Sequence, residues 1–284
     1  MQVKESAFYD ARFRVMGESA SLIHGAGGIG TRKEKILHSI LKYTIEPREQ
    51  YHEVKLLGSI CDIRTEEGIF EIQTRGLYRL QKKLDKFLPE SPVHIIYPVT
   101  KSRILRWLDP ATREMTEGRR ITSHGGIFDA TEELSGLGAY LTHERLSVHL
   151  VFLDIEEYRF LDGFGKDKKK RATRIERIPT AIDSILTLTT LEDYTSRLLP
   201  DALRAEPFTQ KEYERIIKHK GRTAYEALRL LVAIGALDRV GKRAEPFFIN
   251  IKNSHCRHNA TRWEFFMFAS ANISCLPCKG DIYP

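Results

Sequence analysis

Along the chain the spacing of hydrophobic positions changes several times, and each change marks an element. In TRKEKILHSILKYTI, Ile36, Leu37, Ile40 and Leu41 recur at helical spacing, which predicts a helix with one apolar stripe. YHEVKLLG, SICDIRT and GIFEIQT then shorten to strand-length runs, and a turn at Glu66-Glu67-Gly68 closes the last two into a hairpin. RGLYRLQKKLDKFLP returns to helical period, with Leu77, Leu80, Leu84 and Leu88 on one side and Arg79, Lys82, Lys83 and Lys86 mostly on the other. Pro89 ends it. PVHIIYPVT is nearly continuously apolar, as a strand buried on both faces should be, and SRILRWLD reads as a further strand. Polar, glycine-containing residues 111–145 read as a long loop or irregular insertion, and LSVHLVFLDIEEYRFL at 146–161 as one long or bent strand.

A different pattern begins at Pro200. Thr209 and Glu212 fit a capping box at a helix start, a second helix runs from about Arg222 to Ile234 until Gly235 breaks it, and two strands flank a turn at Gly241-Lys242-Arg243. The expected division is an N-terminal extension (1–24), an α/β domain (25–195), a small helix-and-hairpin domain (200–252) and a tail (253–284).

Composition narrows the partners. The chain has 284 residues, 42% of them hydrophobic, enough for a substantial core, and 45 basic against 38 acidic residues give a net charge of +7. That balance favours polyanions through counterion release. MQVKESAFYDARFRV lacks the apolar segment of a secretory signal, and the longest apolar run, LLVAIGAL, is too short to span a bilayer. Cys61 falls in a predicted strand and Cys256, Cys275 and Cys278 in the last thirty residues, so no disulfide framework spans the fold. A soluble, cytoplasmic protein without a membrane partner is the expectation.

The hairpin carries the candidate chemistry. Alternation puts Ile69, Glu71 and Gln73 on one face of its second arm, Phe70 and Ile72 on the other, and Asp62 in the middle of the first arm. Two carboxylates on adjacent strands can converge on one hard cation, Mg2+ or Mn2+, which lowers the pKa of a bound water and neutralises charge on a phosphate oxygen.

The element order of residues 25–110, with Asp62 and Glu71-Ile72-Gln73 in it, resembles the PD-(D/E)xK nuclease superfamily. The resemblance implies a restriction-endonuclease-like mixed sheet flanked by helices. It implies that Asp62 and Glu71 bind the metal, that the Ile72 carbonyl completes its shell, and that Gln73 stands where the usual Lys orients the attacking water. Glu34 matches the acid that many such enzymes add from the first helix, although Thr31-x-x-Glu34 is also a capping box; His38 lies one turn on. Cys61 replaces the Pro of the motif, and Gln73 removes a charge that would stabilise the transition state. The chain as a whole resembles a bacterial protein family associated with this nuclease fold. The function implied is a metal-dependent endonuclease hydrolysing DNA phosphodiesters. The alternative is a catalytically inactive DNA-binding protein, regulatory or architectural, that retains the fold.

Helix, helix and a two-stranded hairpin over 205–252 resemble the winged helix-turn-helix. That likeness implies DNA contacts from Arg222, Thr223, Tyr225 and Arg229 on the helix and from Lys242 and Arg243 on the wing. Tyr225, Leu228 and Leu231 read equally well as core, and such modules also dock proteins or dimerise, so a homodimer stays open. Lys166, Lys168, Lys169, Lys170, Arg171 and Arg174 form either a phosphate-contacting segment or a solvated loop.

Two further patterns carry less. Gly25-Ala-Gly27-Gly28-Ile-Gly30, with Glu53 downstream, fits a dinucleotide fingerprint, but SASLIH before it is a poor buried strand and Glu53 starts a strand instead of ending one. A flexible entry to a capped helix is the better reading. His255, Cys256, His258, Cys275 and Cys278 could ligate zinc, yet only the C-x-x-C pair has familiar spacing, and the tail reads as a loosely attached extension.

Overall fold

The computed structural model describes residues 3–23, 36–109, 111–112, 114–123, 125–160, 173–240 and 247–250. Helices α1 (Glu5–Ile23) and α2 (Ile36–Ile45) precede the hairpin strands β1 (His52–Leu56), β2 (Ser59–Thr65) and β3 (Gly68–Ile72). A 3-10 turn at Leu77–Leu80 leads into α3 (Gln81–Phe87), then β4 (Val93–Leu108), β5 (Arg119–Thr122), α4 (Thr131–Ser135), β6 (Leu146–Phe160) and β7 (Thr173–Leu188). The chain closes with α5 (Leu191–Leu198), β8 (Phe208–Thr209), α6 (Gln210–Ile217), α7 (Arg222–Ala233), β9 (Leu237–Val240) and β10 (Phe247–Asn250).

This is a mixed α/β fold. Among the described residues one sheet runs β1-β2-β3-β4-β6-β7, with β5 beside the distal half of β4, and a small second sheet runs β8-β10-β9. The β3-β4 and β4-β6 pairs are parallel, and the hairpin and β6-β7 pairs are antiparallel. Alternation sorts the hairpin's side chains as expected. Phe70 and Ile72 join Leu37 and Leu41 of α2 in one cluster, while Ile69 faces Leu77, Leu80 and Leu84 on the opposite side. Each fully buried aliphatic or aromatic side chain here contributes roughly 1.5–3 kcal/mol.

Three features depart from the pattern along the chain. The two strands expected over 92–109 are one, β4, whose pairing with β6 only shifts register between Thr100 and Ser102. The expected loop at 111–145 holds β5, α4 and two 3-10 turns, and it buries Ile127, Ala130, Leu134, Leu137 and Leu141. Its apolar residues are spread over pieces too short to show a period, and tertiary packing alone orders them. The N-terminal extension is a helix that buries Phe8, Ala11 and Val15 and meets Ile40 of α2.

The C-terminal elements share a core with the sheet. Tyr213, Ala224, Leu228, Leu231 and Phe248 lie in the same hydrophobic cluster as Leu84, Val93 and Leu134. The Thr209–Glu212 capping box is formed, with the Thr209 amide donating to the Glu212 carboxylate at 2.7 Å. Gly235 follows α7 with φ +73°, a conformation that explains why a glycine ends this helix. No helix among the described residues is long and apolar enough to cross a membrane.

Candidate functional site

Asp62 and Glu71 lie on the adjacent antiparallel strands β2 and β3, one step beyond the Ile63–Phe70 pair where the regular ladder stops. Where that pairing ends, the Asp62 carboxylate accepts a hydrogen bond from the Ile72 amide at 2.7 Å. His38 Nε2 of α2 stands 3.3 Å from the same Asp62 oxygen. Glu71 shares its face with Ile69 and so looks toward α3. From there the Lys83 ammonium donates to both carboxylate oxygens, at 2.9 and 2.8 Å. The two acids therefore each hold a nitrogen partner of their own, one from each helix flanking the sheet.

The surroundings push the two groups apart electrostatically. Burial, followed by the nearby Asp62 charge, raises the Glu71 carboxyl to about 7 despite the opposing pull of Lys83 and His38. Burial also works to raise Asp62, but the His38 hydrogen bond and charge, the Ile72 amide and Lys83 together hold it below its ordinary value. A proton is thus exchanged at Glu71 near neutrality while Asp62 stays ionised.

Lys83 is the residue that the sequence pattern hides. It neighbours Leu84 on the apolar stripe and reads as solvent-facing, yet its side chain is 31% exposed and its head reaches a carboxylate that is 3% exposed. His38, one turn beyond the Glu34 position, reaches Asp62. Gln73 follows β3, and its backbone N–H donates to the Ile96 carbonyl at 3.0 Å. Glu34 lies outside the described residues. Among those residues no group of three or more His, Cys, Asp and Glu is gathered as a metal ion would require.

The remaining candidates are scattered. On α7, Arg222, Tyr225 and Arg229 are exposed and Thr223 is half-buried. Arg222 pairs with Glu132 of α4, and the Arg229 guanidinium donates to the Ser135 hydroxyl at 2.6 Å and pairs with Glu226 at 3.1 Å. The helix is thereby fastened to α4. Leu228 and Leu231 are buried core, as the second of the two sequence readings had it, and Tyr225 is 46% exposed. Arg174 lies on β7 opposite Arg159. Lys166, Lys168, Lys169, Lys170, Arg171, Lys242, Arg243, the Gly25–Gly30 stretch and the Cys/His tail lie outside the described residues. Glu53, the acid downstream of the glycine-rich pattern, accepts a hydrogen bond from the buried Lys42 ammonium at 3.1 Å.

Two polar clusters had no sequence signal. His94 Nδ1 and His149 Nε2 are 3.1 Å apart, His149 Nδ1 meets the Thr187 hydroxyl at 2.9 Å, and Phe70 stacks on His94. Burial drives His149 down to about 3, so it is neutral in the fold. Further along the long strands, the fully buried Glu157 is ringed by Arg103, Arg159 and Arg177.

Comparison with known proteins is sparing. A protein of Treponema pallidum (strain Nichols), described as an uncharacterized protein, is 37% identical over 150 residues, which cover 52% of this chain. The match spans 59% of that relative's length. No solved structure matches the chain with significance. A family model described as Domain of unknown function (DUF8091) matches residues 35–189, a stretch that contains the Asp62–Glu71 pair and the Glu157 cluster and ends before α5. By that match over more than half its length, the chain belongs to the DUF8091 family.

Proposed function

We propose that this protein binds DNA without cutting it, on a nuclease-like sheet whose two acids are already partnered from within. One observation carries the reading: a His38 ring nitrogen and the Lys83 ammonium already stand beside Asp62 and Glu71, where a shared dication would have to bind. A metal would have to displace both, and would also have to take the Glu71 proton at pH values below about 7. The net charge of +7 and the β8-α6-α7-β9-β10 order, which resembles a winged helix, support a nucleic-acid partner.

Calorimetric titration with Mn2+ and Mg2+, paired with duplex binding in EDTA and a plasmid-cleavage assay, tests this reading. The expected result is DNA binding unaffected by EDTA, no cleavage, and no saturable metal uptake that Glu71→Ala abolishes. Metal-dependent cleavage that disappears in Asp62→Ala would overturn it.

The same lysine favours a second reading, a metal-dependent nuclease. Lys83 brings to Glu71 the positive charge that Gln73 lacks, arriving from the helix instead of the strand. On this reading cleavage rises with pH as Glu71 ionises through about 7, and Lys83→Met loses cleavage while keeping DNA affinity.

A further inference from the structure

Beyond the end of β3, strands β4, β6 and β7 continue as a long ribbon, and its two faces differ in charge. One face holds Arg106 against Glu156 at 3.2 Å, with Tyr158 donating to the same glutamate at 2.6 Å, so base and acid are matched one to one. Glu156 also feels the charge of Arg12 of α1.

The opposite face is unbalanced. Cross-strand partners share a face, so the register lines up Arg119 of β5, Leu105 of β4, Glu157 of β6 and Arg177 of β7 in one row. Arg103 and Ile155 make the row on one side of it, and Trp107 and Arg159 the row on the other. In these rows the single acid, Glu157, meets three guanidiniums: Arg159 Nε at 2.6 Å, and Arg103 Nη1 and Arg177 Nε at 3.5 Å each.

Exposure shows which partner serves which. The Glu157 side chain is 0% exposed, whereas Arg103, Arg159 and Arg177 are 34%, 22% and 39% exposed. One guanidinium suffices to neutralise a buried carboxylate, so three around one acid bring more positive charge than it needs. The glutamate thus acts as an anchor that holds the arginines in fixed orientation. The Arg159 guanidinium lies 5.7 Å from the Trp107 ring centroid, adding a flat aromatic surface beside them.

Resting on the DNA-binding reading above, we infer that this arginine face is the phosphate-contacting surface for duplex DNA. Preorganised guanidiniums suit phosphate oxygens, because their planar donors match them and little side-chain entropy is lost on contact. The surface lies on the sheet, apart from α7, whose Arg222 and Arg229 are turned to α4.

Fluorescence anisotropy of a short labelled duplex, measured across a salt series, tests the assignment. Arg119→Gln and Arg177→Gln are each expected to weaken binding about 3- to 10-fold and to lower the slope of log affinity against log salt by about 1. Arg177→Lys keeps the charge and should keep the slope. Arg119 is exposed and takes no part in the Glu157 ion pairs, so its variant isolates the contact from folding, and a thermal melt of each protein checks this. Parent-like affinity and slope in both glutamine variants, with parent binding intact, would remove this surface and leave DNA binding standing; loss in Tyr225→Ala instead would move the contact to α7. Failure of the parent itself to bind any duplex at low salt would overturn both readings.

Discussion

Glu71 and Glu157 are almost equally buried, at 2% and 0% exposure, yet their carboxyls are driven in opposite directions. Glu71 has one lysine and a neighbouring aspartate, and its affinity for a proton rises to about 7. Glu157 has three arginines, and although burial is again the largest influence, their hydrogen bonds and charges hold it below its ordinary value. Burial alone therefore does not fix the charge of a carboxylate in this fold; the surrounding balance of cations and anions does. One site can exchange a proton near neutrality, and the other is a permanent anion serving as a scaffold.

Removing the acid should separate the two most sharply. Glu157→Gln leaves three guanidiniums facing one another without their anion and is expected to cost about 3 kcal/mol in urea unfolding. Glu71→Gln replaces a carboxyl that is largely protonated below pH 7 and should cost about 1 kcal/mol or less when measured at pH 6. Equal losses would break the comparison.

A pH series sharpens it with smaller effects. Glu71 rises from its ordinary value of 4.5 to about 7, so between those values the native state holds a proton that the unfolded chain has released, and this contribution to stability falls as pH rises. His149 falls from 6.5 to about 3, so the unfolded chain holds the extra proton and stability rises with pH. From pH 4.5 to 6.5 the two slopes oppose each other in the parent. Glu71→Gln should make stability climb more steeply with pH by about 1.4 kcal/mol per unit, and His149→Gln should change the slope by the same amount in the other direction. Identical slopes in parent and variants would show that neither group carries its shift.

The subtlest measurement is spectroscopic. Lys83→Met removes the cation that restrains Glu71, and carboxyl-carbon NMR titration should find Glu71 titrating higher still while Glu157 is unmoved. A downward move would mean that Lys83 does not govern the site.

Much of the sheet is readable from local pattern. SICDIRT and GIFEIQT form β2 and β3, and Leu77, Leu80, Leu84 and Leu88 are all buried, because a two-residue or near-four-residue period is set by the chain's own geometry. Asp62 and Glu71 were legible as a pair for the same reason, since a hairpin turn fixes which residues stand opposite. Their neutralisation was not. Lys83 lies twelve residues from Glu71, and His94 and His149 are fifty-five apart, so only packing of helix on sheet and strand on strand decides that they touch. Arg103 and Glu157 have no relation along the chain beyond the parallel register of β4 and β6.

The sequence by itself determined the hairpin, the apolar faces of the helices and the Thr209 cap, which follow from neighbours within a few residues, and the excess of positive charge, which is a sum over composition. Tertiary structure alone decided that β4 is one unbroken strand, that residues 111–145 contribute to the core, and which cation answers each buried acid. The reason is physical: period and capping are properties of a local backbone, whereas desolvation and charge compensation are sums over whatever the fold brings near.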